Sequence, residues 1–493
     1  MRESGILLPI SSLPSRYGIG CFSKEAFEFV DFLKKAGQKK WQILPLGQTG
    51  YGDSPYQSFS TFAGNPYFID LEALIGCGLL TYEECDACDF GEKDDDIDYE
   101  KMYFARYKVL KIAFDRFRAE GNQEYEKFVW ENGYWLDEYC LFMALKDKFG
   151  GVAWEEWEQP YRVREDWAMQ KAGEELGEEI RFYKFQQYMF WKQWNSLHAY
   201  ANKNGIEIIG DIPIYVAFDS ADTWAHPLLF QFTSENKPVA VAGCPPDSFA
   251  PEGQLWGNPL YSWEYHKQTN YDWWITRLAY CFKLYDVVRL DHFRGFDEYY
   301  SIPAEDKTAE NGHWEKGPGY DIFRVIKERL GDVRIIAEDL GYLTQSVIDL
   351  VHATGYPGMK VLQFAFDSRE ESNYLPIYYE QNCVVYTGTH DNDTTAGWYK
   401  VLDRDDRKMA LDYIGGYHIP EKEMYVEIIR LAMASVGNLC VIPMQDYLGL
   451  GSEARINQPS TVGKNWRWRL VKSQLSEELC EEILKMTTIY GRI

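Results

Sequence analysis

The chain has no apolar stretch long enough to cross a bilayer, and its first apolar run, Ile6-Leu-Leu8, stops at Pro9, too soon for a secretory leader. Cations are also in short supply. Against 76 Asp+Glu there are 51 Lys+Arg, a formal charge of −25, so the surface is net negative and repels phosphate backbones and anionic lipid headgroups alike. Neither nucleic acid nor a membrane is expected as a partner. Ten cysteines in 493 residues show no framework spacing, and without a leader they read as reduced thiols of a cytoplasmic protein. Cys85-Asp-Ala-Cys88 has no second Cys or His pair near enough to complete a four-ligand zinc site. Gly47-Gln-Thr-Gly50 and Gly415-Gly416 do not build a glycine-rich phosphate cradle between a strand and a helix, which argues against nucleotide-dependent sugar transfer on a doubly wound sheet.

Aromatic residues, by contrast, are plentiful at 16%, with 17 Trp and 36 Tyr. They suit a large core. They equally suit a carbohydrate site, since the flat C–H faces of sugars stack on rings while their hydroxyls need polar partners.

Short β-branched runs separated by helical stretches predict a parallel α/β fold. Eight runs read as strands: Ile6–Pro9, Trp41–Leu46, Ile206–Gly210, Val287–Leu290, Arg334–Ala337, Lys360–Phe364, Val384–Thr387 and Leu439–Pro443. Eight such units suggest a (β/α)8 TIM barrel, with an open doubly wound sheet as the alternative that periodicity leaves standing. The expectation is one catalytic barrel over residues 1–493. The gap 47–205 reads as a mainly helical insertion, with helical periods over Tyr125–Phe149 and Phe185–Asn202 and a stop at Asn204-Gly205. A second insertion, 215–273, is rich in Pro, Gly and aromatics, and insertions after barrel strands decorate the face that carries active sites. The acidic run 92–100 reads as a solvated loop.

Three of the later strands end in carboxylates: Asp291 in Val288-Arg-Leu-Asp-His-Phe-Arg-Gly295, Glu338 in Ile336-Ala-Glu-Asp-Leu-Gly341, and Asp391 in Tyr386-Thr-Gly-Thr-His-Asp-Asn-Asp393. In a barrel they would converge over one mouth. Arg289 and Asp291, two apart on a strand, share a face, and a guanidinium beside Asp291 favours its ionised form, as a glycosidic nucleophile requires. Glu338 follows Ile335-Ile-Ala337, apolar surroundings that raise a carboxyl pKa and suit a proton donor. A purely structural alternative is a buried Arg–Asp pair and a helix-capping Glu.

These segments closely resemble the 4-α-glucanotransferases (amylomaltase, or disproportionating enzyme) of the α-amylase superfamily. So do Trp41-Gln-Ile-Leu-Pro-Leu46, Gly52-Asp-Ser-Pro-Tyr-Gln-Ser58, Gly64-Asn-Pro-Tyr67, Gly210-Asp-Ile-Pro-Ile-Tyr215, Cys244-Pro-Pro-Asp247 and Gly253-Gln-Leu-Trp-Gly-Asn-Pro-Leu-Tyr261, in family order across nearly the whole chain. The resemblance implies Asp291 as nucleophile, Glu338 as general acid/base and Asp391 as transition-state stabiliser. It further implies that Asp211, Arg289, His292 and His390 contact the sugar at the cleavage point, that Tyr56, Ser54, Asp247, Trp256 and Asp367 line neighbouring glucose subsites, and that 243–256 covers the bound glucan. No C-terminal β-domain is expected, and no metal or organic cofactor, because carboxylates supply nucleophile and proton. Expected partners are α-1,4-glucans, malto-oligosaccharides and glucose. An α-1,4-glucan hydrolase of the same superfamily is the competing function.

Overall fold

The computed structural model describes residues 2–50, 52–246, 252–341, 343–369 and 372–493. Its strands, in chain order, are β1 (Glu3–Leu7), β2 (Lys40–Gln42), β3 (Glu207–Pro213), β4 (Ala240–Cys244), β5 (Gln254–Pro259), β6 (Val287–Asp291), β7 (Glu298–Pro303), β8 (His313–Lys316), β9 (Ile335–Ala337), β10 (Gly358–Val361), β11 (Cys383–Tyr386) and β12 (Leu439–Pro443). Eight of them close a parallel barrel in the order β1-β2-β3-β6-β9-β10-β11-β12, with β12 pairing back to β1. The open-sheet alternative is thereby excluded.

Alternation along the strands sorts side chains to the two faces of the barrel wall. Ile209, Val287, Ile336, Met359, Val361, Val384, Tyr386 and Val441 pack together as one buried cluster inside the barrel. Ile208, Val288, Leu290, Ile335, Ala337, Val385 and Ile442 belong to the separate, larger core shared with the surrounding helices. Two residues beyond an inward-facing position is again inward. Asp211, Arg289 and Glu338 therefore follow Ile209, Val287 and Ile336 to the carboxyl-terminal rim. Gly210, between the inward Ile209 and Asp211, sits against the Tyr285 ring, where a Cβ would lie 2.2 Å from ring carbons. Only glycine lets β3 pass that close.

All eight expected strands are present, with shifted ends. The sixth lies at Gly358–Val361, and Leu362–Phe364 is a short 3-10 turn instead. The span 47–205 holds the long helices Tyr99–Arg116, Gln123–Lys148 and Gly177–Lys203. Asp98 and Asn122 cap the first two by accepting the backbone N–H of Lys101 and Tyr125. The acidic run is not merely solvated, as the sequence suggested. Asp96 forms two hydrogen bonds with Arg467, at 2.9 and 2.6 Å, and Ile97 is fully buried.

A larger correction concerns the second insertion. β4 and β5 form an antiparallel sheet with β7 and β8, in the order β5-β4-β7-β8. Strand β4 pairs with β7, Ala240 opposite Pro303 and Gly243 opposite Tyr300. Residues before and after β6 thus build one small sheet over the rim. Beyond β12 the described residues form no further strand and end in helix Glu477–Ile489. Among the described residues, no helix is long and apolar enough to cross a membrane.

Candidate active site

At the rim, Asp211 and Arg289 lie side by side in the β3–β6 register. Arg289 Nη1 donates to Asp211 Oδ1 and Oδ2 at 2.8 and 2.7 Å and lies 2.9 Å from Asp291 Oδ1. One cation serves two carboxyl groups. Burial favours loss of the guanidinium proton, but the two acids more than offset it and hold Arg289 charged. Asp211 is fully buried and also accepts the Tyr56 hydroxyl at 2.9 Å. That bond ties the 47–205 segment to the barrel mouth. Ser54 stands behind it, its Oγ accepting the Tyr56 N–H at 3.3 Å.

Glu338 follows β9, and its carboxyl is held at both oxygens. The His292 N–H donates to Oε2 at 2.7 Å and the Leu340 N–H to Oε1 at 3.0 Å. His292 adopts a left-handed backbone, φ +53°, an uncommon conformation for a residue with a Cβ and one that concentrates at functional sites. It aims that amide at Glu338. Burial first, then the nearby Asp291 charge, pushes the Glu338 carboxyl up to about 7 against the pull of Arg289. The apolar run before it leads to the same expectation. His292 itself is kept neutral, burial lowering it to about 4.

Asp391 comes from the loop after β11. Burial opposes its charge, but His390 Nε2 at 3.3 Å and Asn457 Nδ2, donating to Oδ1 at 2.6 Å, prevail and hold it near 2. His390 is correspondingly raised, its partner Asp391 outweighing burial, and its ring stacks on Tyr56 at 5.2 Å. Arg455 donates to the Asp391 carbonyl at 2.6 Å. Buried Asp446 fixes the loop from beneath, accepting the hydroxyls of Thr387 and Thr395 at 2.5 and 2.6 Å. Asn457, Arg455 and Asp446 are absent from the sequence-derived set, because an isolated Asn or Asp far along the chain carries no local signal.

The expected outer residues divide. Trp256, on β5, meets the His292 ring edge-on at 4.8 Å and so reaches the rim. Asp367 forms an ion pair with Arg369 at 2.5 Å, and among the described residues no hydrogen bond or ion pair joins it to the three acids. Asp247 lies outside the described residues, as do the other residues of 247–251 in the expected covering loop 243–256; the flanks of that loop run into β4 and β5. Among the described residues, no group of three or more His, Cys, Asp or Glu is arranged to hold a metal ion.

The arrangement is one carboxyl poised to hold a proton near neutrality, one kept strongly acidic and a third against a guanidinium, around a single mouth. A family model described as 4-alpha-glucanotransferase matches residues 8–474. The chain belongs to the 4-alpha-glucanotransferase family. Glucan transglycosylation is the activity of this family member, and curated relatives that span nearly the whole chain carry the name 4-alpha-glucanotransferase. The 4-alpha-glucanotransferase of Clostridium butyricum is 49% identical over 98% of this chain and 99% of its own. That of Thermus thermophilus is 46% identical, over 97% and 96%. Among solved structures, an amylomaltase from Streptococcus agalactiae in complex with acarbose superposes with a TM-score of 0.97 at 41% identity, covering all of both chains. The amylomaltase of Corynebacterium glutamicum shares the fold, with a TM-score of 0.78 at 19% identity over 100% of this chain and 74% of its own. The raised Glu338 carboxyl predicts a pH response. If Glu338 donates the proton in transfer, initial rates are expected to fall about tenfold per pH unit above about 7, as that proton is lost. The folded state binds that proton more tightly than the unfolded chain does, so stability falls as pH rises from the ordinary 4.5 towards 7. Glu338→Gln removes that loss. Calorimetry is expected to give the variant the higher Tm at pH 8, with the difference vanishing below 4.5.

Proposed function

We propose that the reaction is a double displacement with retention of α-configuration. Asp291 attacks the anomeric carbon of an α-1,4-linked donor while protonated Glu338 gives its proton to the departing 4-oxygen. The bond between anomeric carbon and leaving oxygen breaks and an ester to Asp291 forms. A 4-hydroxyl of glucose or another glucan then enters, gives its proton to Glu338 and takes the glucosyl chain, freeing Asp291. Asp391, kept ionised by His390 and Asn457, stabilises the oxocarbenium-like charge that develops in the transition state of each step. Asp211, Arg289, His292 and His390 hold the sugar at the cleavage point, with Tyr56, bonded to Asp211, beside them towards the neighbouring glucose. His292 Nε2 and His390 Nδ1 are buried without a hydrogen-bond partner, which supports their pairing with substrate hydroxyls. Trp256 and Ser54 flank the neighbouring glucoses, Asp247 and Asp367 are assigned there on resemblance, and the protein works in the cytoplasm.

The observation that carries this reading is the divergence of Glu338 and Asp391, about 7 against about 2, in one mouth. Carboxyls with opposed environments mark separate acid and electrostatic roles. Maltotriose as sole substrate provides the test. A transferase yields glucose together with a ladder of longer maltooligosaccharides, whereas accumulation of shorter sugars alone would make the enzyme a hydrolase.

A further inference from the structure

The aromatic residues are not all spent on the core or the transfer site. The long helices Gln123–Lys148 and Gly177–Lys203 pack on each other outside the barrel and meet helix Asp272–Leu284. At that junction lies a groove of about 570 Å³, lined in part by Trp130, Glu131, Trp191, Asn195 and Lys283. None of the residues placed at the rim lines it. Its size is that of a ligand site.

Its chemistry is specific. Trp130, which lines the groove, is 82% exposed. Across the groove Trp191 is half-buried and braced by the Phe128 ring at 5.4 Å. An indole that solvent-exposed does nothing for the core, since its apolar area stays in water. Beside these rings are unused polar groups. Among the described residues, the Asn195 amide, the Lys283 ammonium and the Trp130 indole N–H make no hydrogen bond to protein. Ring faces next to free donors match a sugar chain, which stacks its C–H faces and pairs its hydroxyls. A neutral polymer also escapes repulsion by the −25 net charge.

We infer that this groove is a second α-glucan-binding site, which holds a polymeric chain by stacking on Trp130 and Trp191 away from the transfer site. The inference rests on the glucan activity proposed above. Its advantage is effective concentration: a long glucan seated here keeps its free ends near the rim, and a trisaccharide gains nothing.

Trp130→Ala separates the two sites, since so exposed a side chain can be removed without disturbing the fold. Native electrophoresis through gels containing amylose is compared with maltotriose disproportionation in solution. The expected result is amylose retention weakened at least about threefold, with maltotriose turnover unchanged. Trp191→Phe, which keeps a ring on Phe128, should give an intermediate retention. Retention equal to wild type in Trp130→Ala overturns the site. So does joint loss of retention and maltotriose turnover, which would make the groove part of the transfer site, or a change of sedimentation alone, which would make it a contact between copies. A wild-type enzyme that builds no ladder from maltotriose instead overturns the transfer reading, whatever the gel shows.

Discussion

Asp291→Asn is expected to lower transfer by at least about 10⁴-fold while leaving the fold intact, because a nucleophile that acts with its acid/base partner as a unit leaves little when it is removed. The amide is nearly isosteric and can still accept from Arg289, so thermal unfolding should move little. Initial rates on maltotriose measure the first effect and a melting curve the second. Mass spectrometry of wild-type enzyme trapped with a slow-turnover glycosyl fluoride should place the added sugar on the peptide carrying Asp291. Label on another side chain, or transfer within tenfold of wild type in the variant, would sink the assignment.

Arg289→Met is expected to damage stability and activity together. Arg289 is 2% exposed and Asp211 is wholly buried, with Asp291 on the same cation. Removing one partner from a buried ion pair typically costs about 3–5 kcal/mol, since the other charge stays in a poor dielectric. Asp211 can escape by taking up a proton, the direction in which burial already pushes it. The variant should therefore unfold at lower denaturant, recover part of the difference at low pH, and show little transfer at any pH. Urea titrations at pH 5 and 8 are the check; a loss under about 1 kcal/mol at pH 8 would show that the pair is dispensable to folding.

The barrel and its acids were legible because both are local. An inward alternation such as Val287, Arg289, Asp291 is written in consecutive residues, and the apolar run before Glu338 announces its burial. Strand ends were less legible. β1 begins at Glu3, since Glu3-Ser-Gly contributes backbone pairing to β12 with little apolar signal. The small sheet was not legible at all. β8, His313–Lys316, is mostly exposed and shows no apolar alternation, and β4 finds β7 about 60 residues away, a pairing no short window contains. The Asn457 bond to Asp391 spans 66 residues and was missed for the same reason.

That small sheet bears on how such enzymes can be recombined. The wall carrying Trp256 hangs from β5 on β4, and β4 leans on β7, which directly follows the strand bearing Asp291. A chimera that imports only residues 215–273 from a relative would set a foreign β4 against a native β7 and leave their register to chance. The two stretches flanking β6 form a single inheritable cassette, so grafts intended to alter chain-length preference should exchange both together.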